Sequence, residues 1–120
     1  MVTPSLQIYA NVKSYSIKGK LLRKKDFQTL SESRDIEELV TRLKNTSYSG
    51  AITEIQKPYS AKKIENALRK RQIELHHTMI QASGGSKVLY AYYLKFILHN
   101  LKITLKGKIL NKTQNEIESY

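Results

Sequence analysis

From Leu6 onward, apolar residues recur at spacings of three, four and seven: Leu6, Ala10, Ile17, Leu21 and Leu22, with Tyr9 and Val12 alongside. That is the period of one helix face. Thr3 followed by Pro4 supplies an N-cap and a first helical residue whose missing N–H has no partner to lose there. The pattern runs on into Arg23, Lys24 and Lys25, cations suited to the negative end of a helix, with Gly19 as its weak point. A short apolar patch at Phe27 and Leu30 follows. Ser33 and Asp35 then offer caps for a second helix over 36–44, with Ile36, Leu39, Val40 and Leu43 on one face. Glu37 and Glu38 fall in its first turn, where the positive helix end favours them. Residues 45–50 read as a break, and a helical turn or two around Ala51, Ile52 and Ile55 ends at Pro58.

Ser60 can cap a third long helix whose stripe is Ile64, Ala67, Leu68, Leu75, Met79 and Ala82. Gly84 and Gly85 end it with residues able to take the left-handed conformation, and Ser86 can cap the next helix. In that fourth stretch, Leu89, Tyr92, Tyr93, Phe96, Ile97, Leu101 and Leu105 cover well over half the circumference. The width of this apolar arc predicts the most buried element of the fold, with Phe96 inside it and Lys95, Lys102 and Lys106 reaching outward. Residues 111–120 are polar and read as a frayed tail. No strand-period run and no internal repeat is present, so the expected fold class is all-α, an antiparallel helical bundle. Residues 1–110 are expected to form a single helical domain and residues 111–120 a C-terminal tail.

A length of 120 residues allows one small domain. With no cysteine there is no disulfide framework, no zinc ribbon, no iron–sulfur cluster and no thiol nucleophile. No run approaches the roughly 18 apolar residues of a spanning helix, and the N-terminus lacks a secretory pattern. The matches to a glycosylation acceptor at Asn45 and Asn111 therefore carry little weight. The net charge of +11 is unevenly placed: residues 1–25 hold six basic and no acidic groups, and residues 83–110 hold five and none. Two segments without a carboxylate point either to solvated basic faces or to an acidic partner. The cluster Lys62, Lys63, Arg69, Lys70 and Arg71 raises a small nucleic-acid-binding module as an alternative. No fingerprint of such a module accompanies it, so nucleic acid is not the expected partner.

Catalytic chemistry finds little support. His76 and His77 are adjacent and point about 100° apart on a helix, so they cannot chelate one metal as an i, i+4 pair does. The glycines before Ser86 and Lys87 lack the leading glycine and the strand of a phosphate loop. The pairs Glu37/Glu38 and Glu116/Glu118 sit in helix-start and tail contexts, away from apolar neighbours that would raise a pKa. No nucleophile, base and orienter assemble. The expectation is a protein with no catalytic, cofactor or metal site and no small-molecule substrate of its own.

Three ordered segments are more specific. Tyr9, Ala10, Asn11, Val12 and Lys13, followed by Leu21 and Leu22, resemble a first helix of pattern Y-A-x-V-R … L-L. Leu43, Thr46 and Tyr48 follow L-x-x-T-x-Y, in which the Thr can cap the next turn while the Tyr ring folds back on the preceding apolar face. Asn100, Leu101 and Lys102, with Leu105 and Lys108, follow D-x-x-N-L-K-x-x-L-R-x-K. Together they resemble the C subunits of archaeal-type ATP synthases, which correspond to the d subunits of vacuolar-type enzymes, over the N-terminal third of that family's length. Ile97 stands where the family has an acid, and Lys13 and Lys106 stand where it has arginines. The resemblance implies one unit of a funnel-shaped, multi-domain helical subunit that catalyses nothing itself. It also implies a place on the cytoplasmic face, peripheral to the membrane, between the rotor-ring proteolipids and the central stalk. There the protein couples proton or sodium transport to ATP synthesis or hydrolysis, touching the membrane only through the ring.

Overall fold

Seven helices carry the regular structure of residues 3–118, the part of the chain that the computed structural model describes, and no strand occurs among them. They are α1 (Pro4–Gly19), α2 (Lys24–Ser31), α3 (Ile36–Lys44), α4 (Ser49–Thr53), α5 (Ala61–Ala82), α6 (Lys87–Ile109) and α7 (Gln114–Glu118). The all-α class follows the periodicity. Contacts group the chain into two compact units, one running to Gly84 and the other from Gly85. The boundary between them falls inside the glycine turn, where Gly84 and Gly85 take φ of 70° and 81°.

In the first unit, α3 begins where its caps predict. Asp35 Oδ1 accepts the Glu38 N–H at 2.8 Å, while the hydroxyl of Ser33, the other candidate cap, is buried without a hydrogen-bond partner among the described residues. Glu38 accepts the Arg34 N–H at 2.9 Å and the Arg42 guanidinium at 2.6 Å, one turn away. The same guanidinium donates to the Thr29 carbonyl and so ties α3 to α2. These bonds, the Arg34 N–H first and Arg42 second, hold the Glu38 carboxyl below the usual glutamate range.

The apolar face of α3 supplies Val40 and Leu43 to a core completed by Ile52 of α4 and Ile64 of α5, with Leu30, Ile36, Leu39, Ile55, Tyr59 and Leu68 packed around it. Ile52 is 0% exposed and Val40 1%. Each such side chain contributes about 1.5–3 kcal/mol by leaving water. Ser60 caps α5 by accepting the Lys63 N–H at 3.2 Å, and the predicted stripe of α5 is buried or half-buried throughout.

α1 lies against α5, and Leu6, Ala10, Lys13 and Ile17 along one of its faces are half-buried. It ends at Gly19 and does not continue into Arg23–Lys25, because glycine costs about 1 kcal/mol in a helix interior. A separate helix starts at Lys24, where Asp26 in its first turn accepts the Arg23 N–H at 2.7 Å.

The second unit corrects two expectations. α6 forms, but it is not the most buried element: Gly107 is its only buried residue among those described, and Phe96 is half-buried. Periodicity reports how wide an apolar arc is and not what covers it. The tail is not frayed over its described length either. Asn111, at φ 53°, ends α6, with Lys112 N–H bonded to the Gly107 carbonyl and Asn111 N–H to that of Lys108, a Schellman closure. Thr113 and Glu116 then form a reciprocal capping box: Glu116 Oε2 accepts the Thr113 N–H at 2.7 Å, and Thr113 Oγ1 accepts the Glu116 N–H at 3.3 Å. The turn lays Ile117, 7% exposed, over Gly107, where an added Cβ would lie 2.4 Å from Ile117 Cγ1.

Two outcomes follow for the first unit. Ile52→Ala lowers the free energy of unfolding by about 2–5 kcal/mol, measured by urea denaturation, because it empties the centre of the core. Because the folded state lowers the Glu38 pKa, its contribution is present above the usual glutamate range and is lost as pH falls through the folded value. Glu38→Gln is therefore less stable than the parent at neutral pH, and the difference in urea midpoints closes on acidification.

Candidate functional site

Of the seven motif residues, Tyr9, Ala10, Thr46 and Tyr48 belong to the first unit and Asn100, Leu101 and Lys102 to the second. On α1, Ala10 belongs to the half-buried stripe, while Tyr9 lies off it and is 55% exposed. The α3–α4 turn holds the second motif. Thr46 Oγ1 donates to the Leu43 carbonyl at 2.6 Å and accepts the Tyr48 N–H at 3.2 Å, so the threonine braces the turn itself and leaves α4 without a side-chain cap. Tyr48 is half-buried and shares a cavity wall with Lys13 and Ile17 of α1 and with Arg71 and Leu75 of α5. Residues of the first and second motifs, Lys13 and Tyr48, therefore line one cavity. Asn100, Leu101 and Lys102 belong to the second unit and are all exposed on α6, the Asn100 carbonyl accepting the Thr104 hydroxyl at 2.9 Å.

The candidate acid–base and metal residues have local roles. His76 Nδ1 lies 3.0 Å from the Gln72 carbonyl, within its own helix, and His77 and His99 are exposed. Glu116 is held below the usual glutamate range by the Thr113 N–H and then by the Thr113 hydroxyl, as a cap and not as a general acid. Among the described residues, no group of three or more His, Cys, Asp or Glu side chains could hold a metal ion. The glycine turn closes α5, and Ser86 Oγ accepts the Leu89 N–H at 3.5 Å to start α6.

The larger feature is surface. Tyr90, Leu94, Ile97, Leu98, Leu101 and Leu105 recur at helical spacing along α6 and are all exposed, Leu98 at 63% and Leu101 and Leu105 at 53%. Lys102 and Lys106 run beside them, and no Asp or Glu occurs between Glu74 and Glu116. On α1, Ile8, Tyr9, Val12 and Tyr15 make a second uncovered patch. Single exposed apolar residues are ordinary, but continuous stripes along a helix mark places where something docks. No helix among the described residues is long and apolar enough to cross a membrane.

Comparison with known proteins agrees with the family resemblance. The model of the ATP synthase (C/AC39) subunit family matches residues 10–120. The chain belongs to this family. It is 25% identical over 112 residues to the C subunit of the A-type ATP synthase of Methanosarcina barkeri, covering 91% of this chain and 31% of that protein. The corresponding C subunit of Methanosarcina mazei matches with the same identity and coverage. This member of the C/AC39 family thus spans about a third of the length of the curated relatives that it matches. No solved structure matches it significantly.

Proposed function

We propose that this chain serves as a non-catalytic subunit of an archaeal- or vacuolar-type rotary ATPase. In this reading it sits at the cytoplasmic face between the rotor-ring proteolipids and the central-stalk subunits, coupling proton or sodium flow to ATP synthesis or hydrolysis carried out elsewhere in the complex. The family match over residues 10–120 carries the proposal. The uncovered stripe on α6 supports it, because a coupling protein needs docking surface and not a pocket. An apolar centre provides affinity, while Lys102 and Lys106 beside it steer an acidic partner without having to be buried. Contact with the membrane is indirect, through the ring.

Co-sedimentation with purified rotor rings and with central-stalk subunits tests this reading. The chain is expected to bind one or both, more weakly as salt rises and screens the lysines. Leu98→Glu and Leu101→Glu are expected to abolish binding while leaving thermal stability within about 0.5 kcal/mol of the parent, since both side chains are exposed. Absence of binding to either partner contradicts the proposal. Binding to random duplex DNA with a steep log-linear salt dependence would favour the nucleic-acid module in its place.

A further inference from the structure

The cavity lined by residues of the first two motifs has a volume of about 190 Å³ and collects charge of one sign. Lys13, Lys20 and Arg71 line it, and no carboxylate does. Arg71 is paired with Glu74 at 3.3 Å along its own helix, outside the lining. Among the described residues, the ammonium groups of Lys13 and Lys20 make neither an ion pair nor a hydrogen bond. Residues 1–25 contain no acid that could supply one locally. Ser16 and Tyr48 add hydroxyl donors, since neither side chain is engaged elsewhere among the described residues.

Beside the apolar Ile17, Leu21 and Leu75, the wall offers donors and positive charge and no acid, so its polar ligand must be rich in acceptors and carry more than one negative charge. A carboxylate brings two oxygens and a single charge. A phosphate group brings three or four oxygens and close to two charges near neutral pH, which suits three cations offset by one glutamate. The volume is below the roughly 300–1,000 Å³ of pockets for drug-sized ligands. A whole nucleotide is therefore too large, whereas a phosphate with a small carbon body fits.

We propose that this cleft between α1, the α3–α4 turn and α5 is a phosphate-binding site, occupied by inorganic phosphate or by the phosphate of a small monoester. The inference rests on the cleft alone and is independent of the docking role assigned above.

Amide NMR of the full chain, titrated at matched ionic strength with sodium phosphate, glycerol phosphate, sodium acetate or sodium chloride, tests it. Phosphate or glycerol phosphate is expected to give saturable shifts at Lys13, Lys20, Tyr48 and Arg71, and the tighter of the two identifies the source. Lys13→Gln, and separately the exposed Lys20→Gln, are expected to weaken binding by about tenfold, as loss of one charge-assisted hydrogen bond implies. Lys18→Gln, on the same helix but outside the lining, should leave it unchanged. Equal shifts with chloride, equal loss in all three variants, or acetate binding as well as phosphate would each overturn the proposal.

Discussion

The first unit depends on a single insertion, Ile52. The helix that carries it has five residues, far fewer than the roughly 12–15 that an isolated helix needs to be even marginally stable in water. Tertiary burial must therefore hold α4 in place. Ile52 meets Val40 and Leu43 of α3 and Ile64 of α5, so one fully enclosed side chain joins two helices separated in sequence by a polar break and a proline turn. Other features serve this junction. Asp35 and Ser60 start the two flanking helices, Arg42 fastens α2 to α3, and the Lys70–Glu54 ion pair at 3.3 Å spans from α5 to the end of α4. The last is exposed and contributes little. α1 then rests on α5, so that Lys13 lines one cavity with Tyr48 of the α3–α4 turn.

The second unit obeys a different constraint. α6 is apolar enough to be a core helix, yet among the described residues its closest intimacy is with Ile117 of α7 over Gly107. Helix-interior glycine is unfavourable by itself, and here it is explained by that approach. The remaining apolar stripe is left in water beside a row of lysines. A family member whose proposed work is to dock has a physical reason to keep such a stripe, namely a partner that covers it. That reason treats the exposed leucines as interface rather than as a folding error.

Helix existence is readable wherever caps and periodicity agree. For α3, the Asp35 cap, the acidic first turn, the Arg42 and Lys44 ends and the Ile36–Leu43 stripe all point to the same boundaries, and the structure has them. α2 and α7 escape a reading by period because eight and five residues are too few for one to show, although Asp26 and the Thr113–Glu116 box are local signals for both starts. Burial is less legible. A broad apolar arc looks the same whether it faces a core or a partner, so the pattern puts α6 on the wrong side of that choice. The cavity shared by Lys13, Tyr48 and Arg71 is not legible at all, because it arises from how α1 crosses α5, and no local pattern encodes that crossing. The three motif segments are recognisable one by one, but their arrangement is not.

Native-state hydrogen exchange on the full chain most directly tests the division between a core built on Ile52 and an uncovered α6. Amides of α3 and α5 are expected to be the slowest, exchanging only by global unfolding, while those of α6 exchange through a lower-energy opening of their own. If instead the amides of Leu94 to Leu101 were protected as strongly as those around Ile64, α6 would be part of the central core, and the division would be wrong.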